Sequence, residues 1–359
     1  MEEVLIIGGG IAGMMSALEL AARGRSVTIL DAPSSRPPAS WAGGGILSPL
    51  FPWRYPLSML PLTHDALTRY QRLEEMFFDE LGLGIEIRRH GMLVVAEDID
   101  AATQWSQMAN VPLMAGGGNG GGKSAERQCF LPEVASIRNP WVLKRLRALL
   151  ARRGVTFQFA QAISLSEQPG SVLVACSTGE QYEAGSVLVA AGAWSSELLK
   201  PFSLGNLFFP VKGQMLLFRG ELEKDTPIIL RDEGYLIPRN DGTFLVGSTL
   251  EPNANTSLPT ELGLNSLMPA LEKLMPGGNR CELLAQWAGI RPGCARQVPV
   301  IDQLSDKVWI NTGHYRNGLV CAPASAQLVA QLMCAEPTFC DTSAYSFSSP
   351  GSSESFCKR

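Results

Sequence analysis

Val4-Leu5-Ile6-Ile7-Gly8-Gly9-Gly10-Ile11-Ala12-Gly13 stands almost at the start of the chain, and its reading decides the fold. Four apolar residues of strand type run directly into G-x-G-x-x-G on Gly8, Gly10 and Gly13. Met14 to Arg23 is rich in Ala, Leu and Met, which favours a helix, and Gly24 stops it. Ser26-Val27-Thr28-Ile29-Leu30 is a second strand closing on Asp31. Together these pieces make a complete β-turn-α-β unit. Its glycines serve a tight turn, close approach of backbone N–H groups to a pyrophosphate, and close helix–strand packing. The helix start adds unpaired N–H groups and a partial positive charge, and an acid at the second strand's end accepts ribose hydroxyls. G-x-G-x-x-G alone is a weak signal. With both strands, the helix and Asp31 in place, it predicts an adenine-dinucleotide site.

At 359 residues the chain suits about two domains. A net charge of −4 without a Lys/Arg block argues against a nucleic-acid partner and against a polybasic membrane patch. Met1-Glu2-Glu3 lacks the positive start of a secretory signal, and Glu19 and Arg23 interrupt the apolar run, so no membrane insertion is expected. The eight cysteines form no C-x-x-C pair, and the three histidines, His64, His90 and His314, form no H-E-x-x-H. Zinc and dithiol chemistry are therefore not expected, and reduced thiols fit a cytoplasmic protein.

Beyond Asp31 lies a Pro- and Ser-rich loop, then Trp41-Ala42-Gly43-Gly44-Gly45-Ile46, small residues against which a flat ligand could lie. Thr63 reads as an N-cap for a helix reaching Leu81, and Ile85 to Ala96 has strand character. Gly117 to Ser124 fits the phosphate loop G-x-x-x-x-G-K-[ST]. It lacks the buried strand before it and the apolar helix after it, so a surface loop is expected rather than nucleotide hydrolysis. Asn139 reads as the cap of a helix reaching Arg153, with Pro140 in its first turn. Val155–Phe159, Val172–Ala175 and Ser186–Ala191 are strands. From Phe208 onward, alternating segments around the hairpin turn Asn240-Asp241-Gly242 read as an antiparallel sheet, followed by a helix from Leu262 to Leu274 interrupted at Pro269. Val308–Thr312 is a strand and Leu319–Met333 a helix, and the Ser-rich tail is expected to be loosely held.

Gly8 to Gly13, Val211-Lys212-Gly213-Gln214, Gly234-Tyr235-Leu236-Ile237-Pro238-Arg239, Trp287-Ala288-Gly289-Ile290-Arg291-Pro292-Gly293 and Gly313-His314-Tyr315-Arg316-Asn317-Gly318-Leu319 together resemble the D-amino-acid oxidase family of flavoproteins. Within it the chain is most similar to the FAD-dependent glycine oxidases of thiamine thiazole synthesis. The resemblance covers nearly the whole chain except the glycine loop and the tail, and its last two motifs together are specific.

The resemblance implies an α/β FAD-binding Rossmann-like domain with an inserted antiparallel-sheet substrate domain. The FAD-binding part comprises residues 1–84, 140–205 and 290–340, the substrate part residues 85–139 and 206–289, and the tail residues 341–359. Gly8, Gly10, Ile11, Ala12 and Gly13 would hold the pyrophosphate, and Asp31 with Ala32 the ribose. Ala39, Ser40, Gly44, Gly45 and Ile46 fall where the family meets the cofactor, and Ile163 where it meets the adenine. His314, Tyr315, Arg316, Asn317, Gly318, Leu319 and Val320 would line the isoalloxazine. Trp41 departs from the small residue that relatives carry there.

Tyr235, Arg291 and Arg316 are the expected substrate contacts. A guanidinium fork fits a carboxylate bidentately, and a tyrosine hydroxyl adds a donor. The helix start near Gly318 would stabilise charge developing on the flavin. No residue is assigned as general acid or base, and His314 is expected to be structural. Leu250 and Glu233 are expected to help set the pocket's volume.

The implied activity is oxidative deamination of glycine, and of sarcosine or small D-amino acids, by hydride transfer to flavin N5. Glyoxylate, ammonia and hydrogen peroxide are the products, with an amino acid and oxygen as partners. Alternatives within the family are a D-amino-acid dehydrogenase that reduces a quinone, and a sarcosine oxidase. Cys294 is not followed by the Tyr-Thr-x-Thr run of the covalent sarcosine oxidases, so non-covalent FAD is expected. The family also suggests a homo-oligomer, a tetramer.

Overall fold

The computed structural model describes residues 3–33, 38–115, 127–254 and 256–348. Its first sheet has six strands in the order Val300–Gln303, Val308–Thr312, Ser186–Val189, Glu3–Ile7, Ser26–Asp31 and Thr156–Phe159. All neighbours pair parallel except Val300–Gln303, which closes one edge antiparallel. The strands are near-continuous apolar runs because both faces are covered. Side chains alternate accordingly: Val4 and Ile6 enter one hydrophobic core, Leu5 and Ile7 the other. The helix Ile11–Ala22 packs against the long helix Gly318–Met333. Each is apolar on nearly every side, as a core helix must be.

The second sheet has nine strands. Phe208–Arg219 and Glu282–Cys294 pair antiparallel along their whole length, which sets Val211 opposite Arg291 and Gly213 opposite Gly289. Thr243–Gly247, Gly234–Pro238 and Ile228–Arg231 follow as antiparallel neighbours, with Tyr235 opposite Gly247. Ile228–Arg231 then pairs parallel with Met92–Val95, the one parallel contact in a sheet expected to be antiparallel. A separate three-stranded meander contains Ala162–Gln168, Ser171–Cys176 and Gln181–Ala184.

Several local expectations are corrected. Thr63 ends a short turn, its hydroxyl donating to Met59 O at 3.0 Å, and the main helix begins afterwards as Ala66–Leu81. Ile85 to Ala96 is two strands, Ile87–Arg89 and Met92–Val95, in different sheets, divided at Gly91. Ile99–Ala109 is a further helix, with only Ala102 and Trp105 buried. Pro269 does not interrupt Glu261–Leu274, whose start is capped instead by Thr260 accepting from Gly263 N–H at 3.1 Å. The tail's first part is docked: Tyr345 is buried and donates to Ser58 O at 2.6 Å. Of the glycine loop 115–124, only Ala115 lies within the described residues.

Candidate active site

A cavity of about 1380 Å³ opens at the C-terminal ends of the first strands of the parallel sheet and reaches the second sheet. At the parallel-sheet end its wall is backbone. Gly8 adopts φ +116°, and a Cβ there would lie 2.4 Å from Ala190 O. A Cβ on Gly13 would fall 1.9 Å from Gly8 O, so helix and turn could not close together. Ile11 N–H donates to Ser40 Oγ at 3.3 Å. Asp31 accepts from Gly9 N–H at 2.9 Å and sits 3.6 Å from the Arg147 guanidinium. Phe159, Ile163 and Trp194 line the same cavity as exposed apolar surfaces. Farther along, Asn311 presents a buried Oδ1 with no hydrogen-bond partner among the described residues.

These features fit a flavin dinucleotide. The helix start offers N–H groups to a pyrophosphate through a cradle that any side chain would fill. Apolar surface and an orphaned acceptor await the flat parts. Chains of this kind place dinucleotides at the carboxyl edge of the parallel strands.

At the far end, Arg291 lies in the cavity wall on the strand Glu282–Cys294. Its guanidinium rests flat on Gly213, where an added Cβ would meet Nη2 at 2.0 Å. Nη1 donates to Lys212 O at 3.2 Å and Thr249 O at 3.3 Å, and Nη2 to Ser248 Oγ at 2.7 Å. Burial lowers its pKa, with the Tyr235 hydroxyl opposing that effect. Arginine stays charged even so. Among the described residues Arg291 forms no ion pair: the nearby Glu251 is taken by the buried Lys212 at 2.9 Å. Tyr235 is buried beside it, its hydroxyl 3.3 Å from Met215 Sδ. Arg316 lines the same cavity, exposed, with the ring of Tyr315 near its charge and with Tyr55 and Arg291 within its electrostatic reach.

His314 is buried, with Nε2 3.2 Å from Ser325 Oγ, and desolvation brings its pKa down to about 4. It is therefore neutral at pH 7 and braces the helix Gly318–Met333. Cys294 is fully buried away from the cavity wall, and burial raises its thiol to about 11.

The structure thus gathers Tyr235, Arg291 and Arg316 with Gly8, Gly10, Ile11, Ala12, Asp31, Ala32, Ala39, Ser40, Gly44, Gly45, Ile46, Ile163, His314, Tyr315, Gly318 and Leu319 around one space. Gly13, Asn317 and Val320 stand behind that wall. Leu250 and Glu233 do not line it either; Glu233 instead pairs with Lys273 at the surface.

The side chains that hold the loop at residues 40–44 carry no local sequence signal for that role. Asn139 does not cap its helix. Its Nδ2 donates to Ser40 O at 2.6 Å, Trp41 O at 2.7 Å and Gly43 O at 3.1 Å. Trp287 Nε1 donates to Ala42 O at 3.0 Å, and Arg239 to Gly44 O at 2.9 Å. An Asn before a Pro carries only a capping signal locally, and nothing nearby in sequence points back to residue 40.

Comparison with known proteins finds relatives along nearly the whole chain. Residues 3–332 match the family described as FAD dependent oxidoreductase, DAO. A glycine oxidase of Pseudomonas aeruginosa is 38% identical over 96% of this chain and 98% of its own. A bifunctional protein ThiO/ThiG of Synechocystis is 28% identical over 92% of this chain, which spans 51% of that protein. The crystal structure of glycine oxidase from Geobacillus kaustophilus superimposes with a TM-score of 0.89 at 22% identity, over 97% of this chain and 98% of that one, which speaks for the fold.

Proposed function

The chain belongs to the DAO family of FAD-dependent oxidoreductases, and from that premise we propose that it oxidises glycine to glyoxylate and ammonia, with oxygen as the electron acceptor and hydrogen peroxide as its product. Arg291 carries this reading: a charged fork without an acid partner among the described residues, fixed in the wall of the dinucleotide cavity. The likeness to a glycine oxidase along nearly the whole chain supports it, and the ThiO/ThiG relative supports a place in thiamine thiazole synthesis.

Bound FAD supplies the two-electron acceptor and the route onward to oxygen. Everything else falls to the chain. Arg291 takes the substrate carboxylate on the guanidinium N–H donors that its wall contacts leave free. Its bonds to Ser248, Lys212 and Thr249 hold it in place beforehand, so little side-chain freedom is lost on binding. The Tyr235 hydroxyl adds a second donor, and Arg316 draws the anion inward from the cavity mouth. The acids lining the cavity among the described residues are Asp31 and Glu197, and the short helix Ser195–Leu198 packs on the strand Ala162–Gln168. No further carboxylate among the described residues lines the cavity, and in this reading no side chain is assigned to take a proton from the amine.

FAD is held without a covalent bond in this reading, because Cys294 is sealed in the core. It extends to a cytoplasmic homotetramer, which size-exclusion chromatography with light scattering tests. The central experiment adds glycine to the purified yellow protein in air. Stoichiometric glyoxylate and peroxide are expected. A flavin spectrum that glycine fails to bleach under nitrogen would sink the proposal, and bleaching without peroxide in air would replace oxygen by another acceptor.

A further inference from the structure

Six consecutive carbonyl oxygens, from Ser40 to Gly45, are gripped from outside the cavity. Asn139, Trp287 and Arg239 hold the first five, and Ile137 N–H holds Gly45 O at 2.8 Å. None of those four residues lines the cavity. In a trans peptide the N–H points opposite to its C=O. The N–H groups of Trp41, Ala42 and Gly43 are used within the turn, by Pro38 O and Ala39 O. Those of Gly44, Gly45 and Ile46 find no acceptor among the described residues, and all three residues line the cavity. The chain thus presents a row of backbone donors there, the arrangement that binds electron-rich atoms.

Arg239 is the exceptional member of the grip. It is 7% exposed and forms no ion pair among the described residues. Its donors go to Ile137 O and Gly44 O, each at 2.9 Å. The two acids that act on it, Glu86 and Asp241, are both already paired with Arg138, at 3.3 and 2.7 Å. Burial brings the Arg239 pKa down to about 10, which still leaves it charged at neutral pH. A buried cation without a carboxylate is costly and asks for a purpose. The Gly44 carbonyl belongs to the same peptide group as the Gly45 N–H. A cation on that oxygen polarises the amide and strengthens its N–H as a donor.

We propose that Arg239 is a positioning residue for the redox centre: through the Gly44–Gly45 peptide it strengthens the Gly45 donor, and by fixing that peptide it aims the row from Gly44 to Ile46 toward the flavin atoms that gain negative charge on reduction. FAD held here accepts electrons more readily for that reason. The proposal rests on the reading that FAD occupies this cavity.

The test compares holoenzymes of wild type, Arg239→Met, Arg239→Lys and Asn139→Ala. Readouts are the FAD reduction potential by dye equilibration, the sulfite dissociation constant by absorbance, and FAD affinity. Arg239→Met is expected to lower the potential by about 30 mV, the equivalent of a tenfold change for two electrons, and to weaken sulfite binding at least tenfold. Arg239→Lys keeps a charge but reaches only one carbonyl, and gives a smaller fall in the same direction. Asn139→Ala loosens the loop without removing a charge, so FAD affinity falls while the potential moves less than in Arg239→Met. Wild-type potential and sulfite affinity in Arg239→Met overturn the proposal, as do equal shifts in Arg239→Met and Asn139→Ala. Should Arg239→Met not accumulate, Arg239→Lys carries the test, and an unchanged potential there overturns the proposal. Wild-type protein that cannot take up FAD would instead refute the cofactor reading.

Discussion

At the dinucleotide end of the cavity the cradle comes from one unit close in sequence, Gly8 to Ala32, and its donors are backbone N–H groups, while Phe159, Ile163 and Trp194 add apolar wall. At the substrate end Tyr235, Arg291 and Arg316 come from a central strand, a distant strand and a loop. There the working groups are charged or hydroxylic side chains, and each needs other segments to hold it. The cradle at the first end is set mainly by the local geometry of strand, glycine turn and helix. The second exists only while the strands Phe208–Arg219 and Glu282–Cys294 keep their register, since a slip of one residue would turn Arg291 to the opposite face. Local damage should therefore cost cofactor binding at one end and substrate binding at the other, with little crossover.

The sharpest way to break this comparison is Arg291→Ala. We expect kcat/KM for glycine to fall by about 4 kcal/mol, roughly a thousandfold, while FAD affinity stays unchanged. A variant that loses its colour as well would show that the two ends are not separable.

Acid should loosen the fold through His314, which braces the helix Gly318–Met333. Its folded pKa, about 4, lies below the ordinary value of 6.5. The unfolded chain binds a proton between those pH values and the folded chain does not. The stabilisation is therefore complete above pH 6.5 and is lost as the pH falls toward 4, by about 3 kcal/mol in total. Urea unfolding at a series of pH values should show that slope, flattened in His314→Gln. An equal slope in the variant would remove His314 as its source.

Gly213→Ala probes the contact beneath Arg291 without touching any charge. The added methyl would overlap the guanidinium, and we expect a loss of about 2 kcal/mol in glycine binding, roughly thirtyfold in KM. Full activity would mean that the arginine can work from another position. The smallest effect should come from Asp31→Asn, about 1 kcal/mol in FAD affinity, with KM for glycine unchanged. A changed KM there would couple the two ends directly.

The β-turn-α-β unit was legible because its information is local. Strand, glycine turn, helix and Asp31 follow one another, and each is specified by the residues beside it. Arg291, Tyr235 and Arg316 were legible by resemblance, through short motifs that carry their own surroundings. The polar strand Ala162–Gln168 and the helix Ile99–Ala109 were not, because their residues are largely exposed and lack a clean apolar period.

The sequence by itself determined the dinucleotide cradle, the apolar strands of a parallel sheet and the kinds of side chain available to a carboxylate. Only the tertiary structure decided what Asn139, Trp287 and Arg239 do. Each looks ordinary among its neighbours, as a helix cap, a strand aromatic and a strand-end cation. Their hydrogen bonds to the loop at residues 40–44 span sequence separations of 96 to 245 residues. A donor's type is written in the chain, whereas its partner is fixed by where the two packed sheets bring the backbone, and local sequence holds no record of that distance.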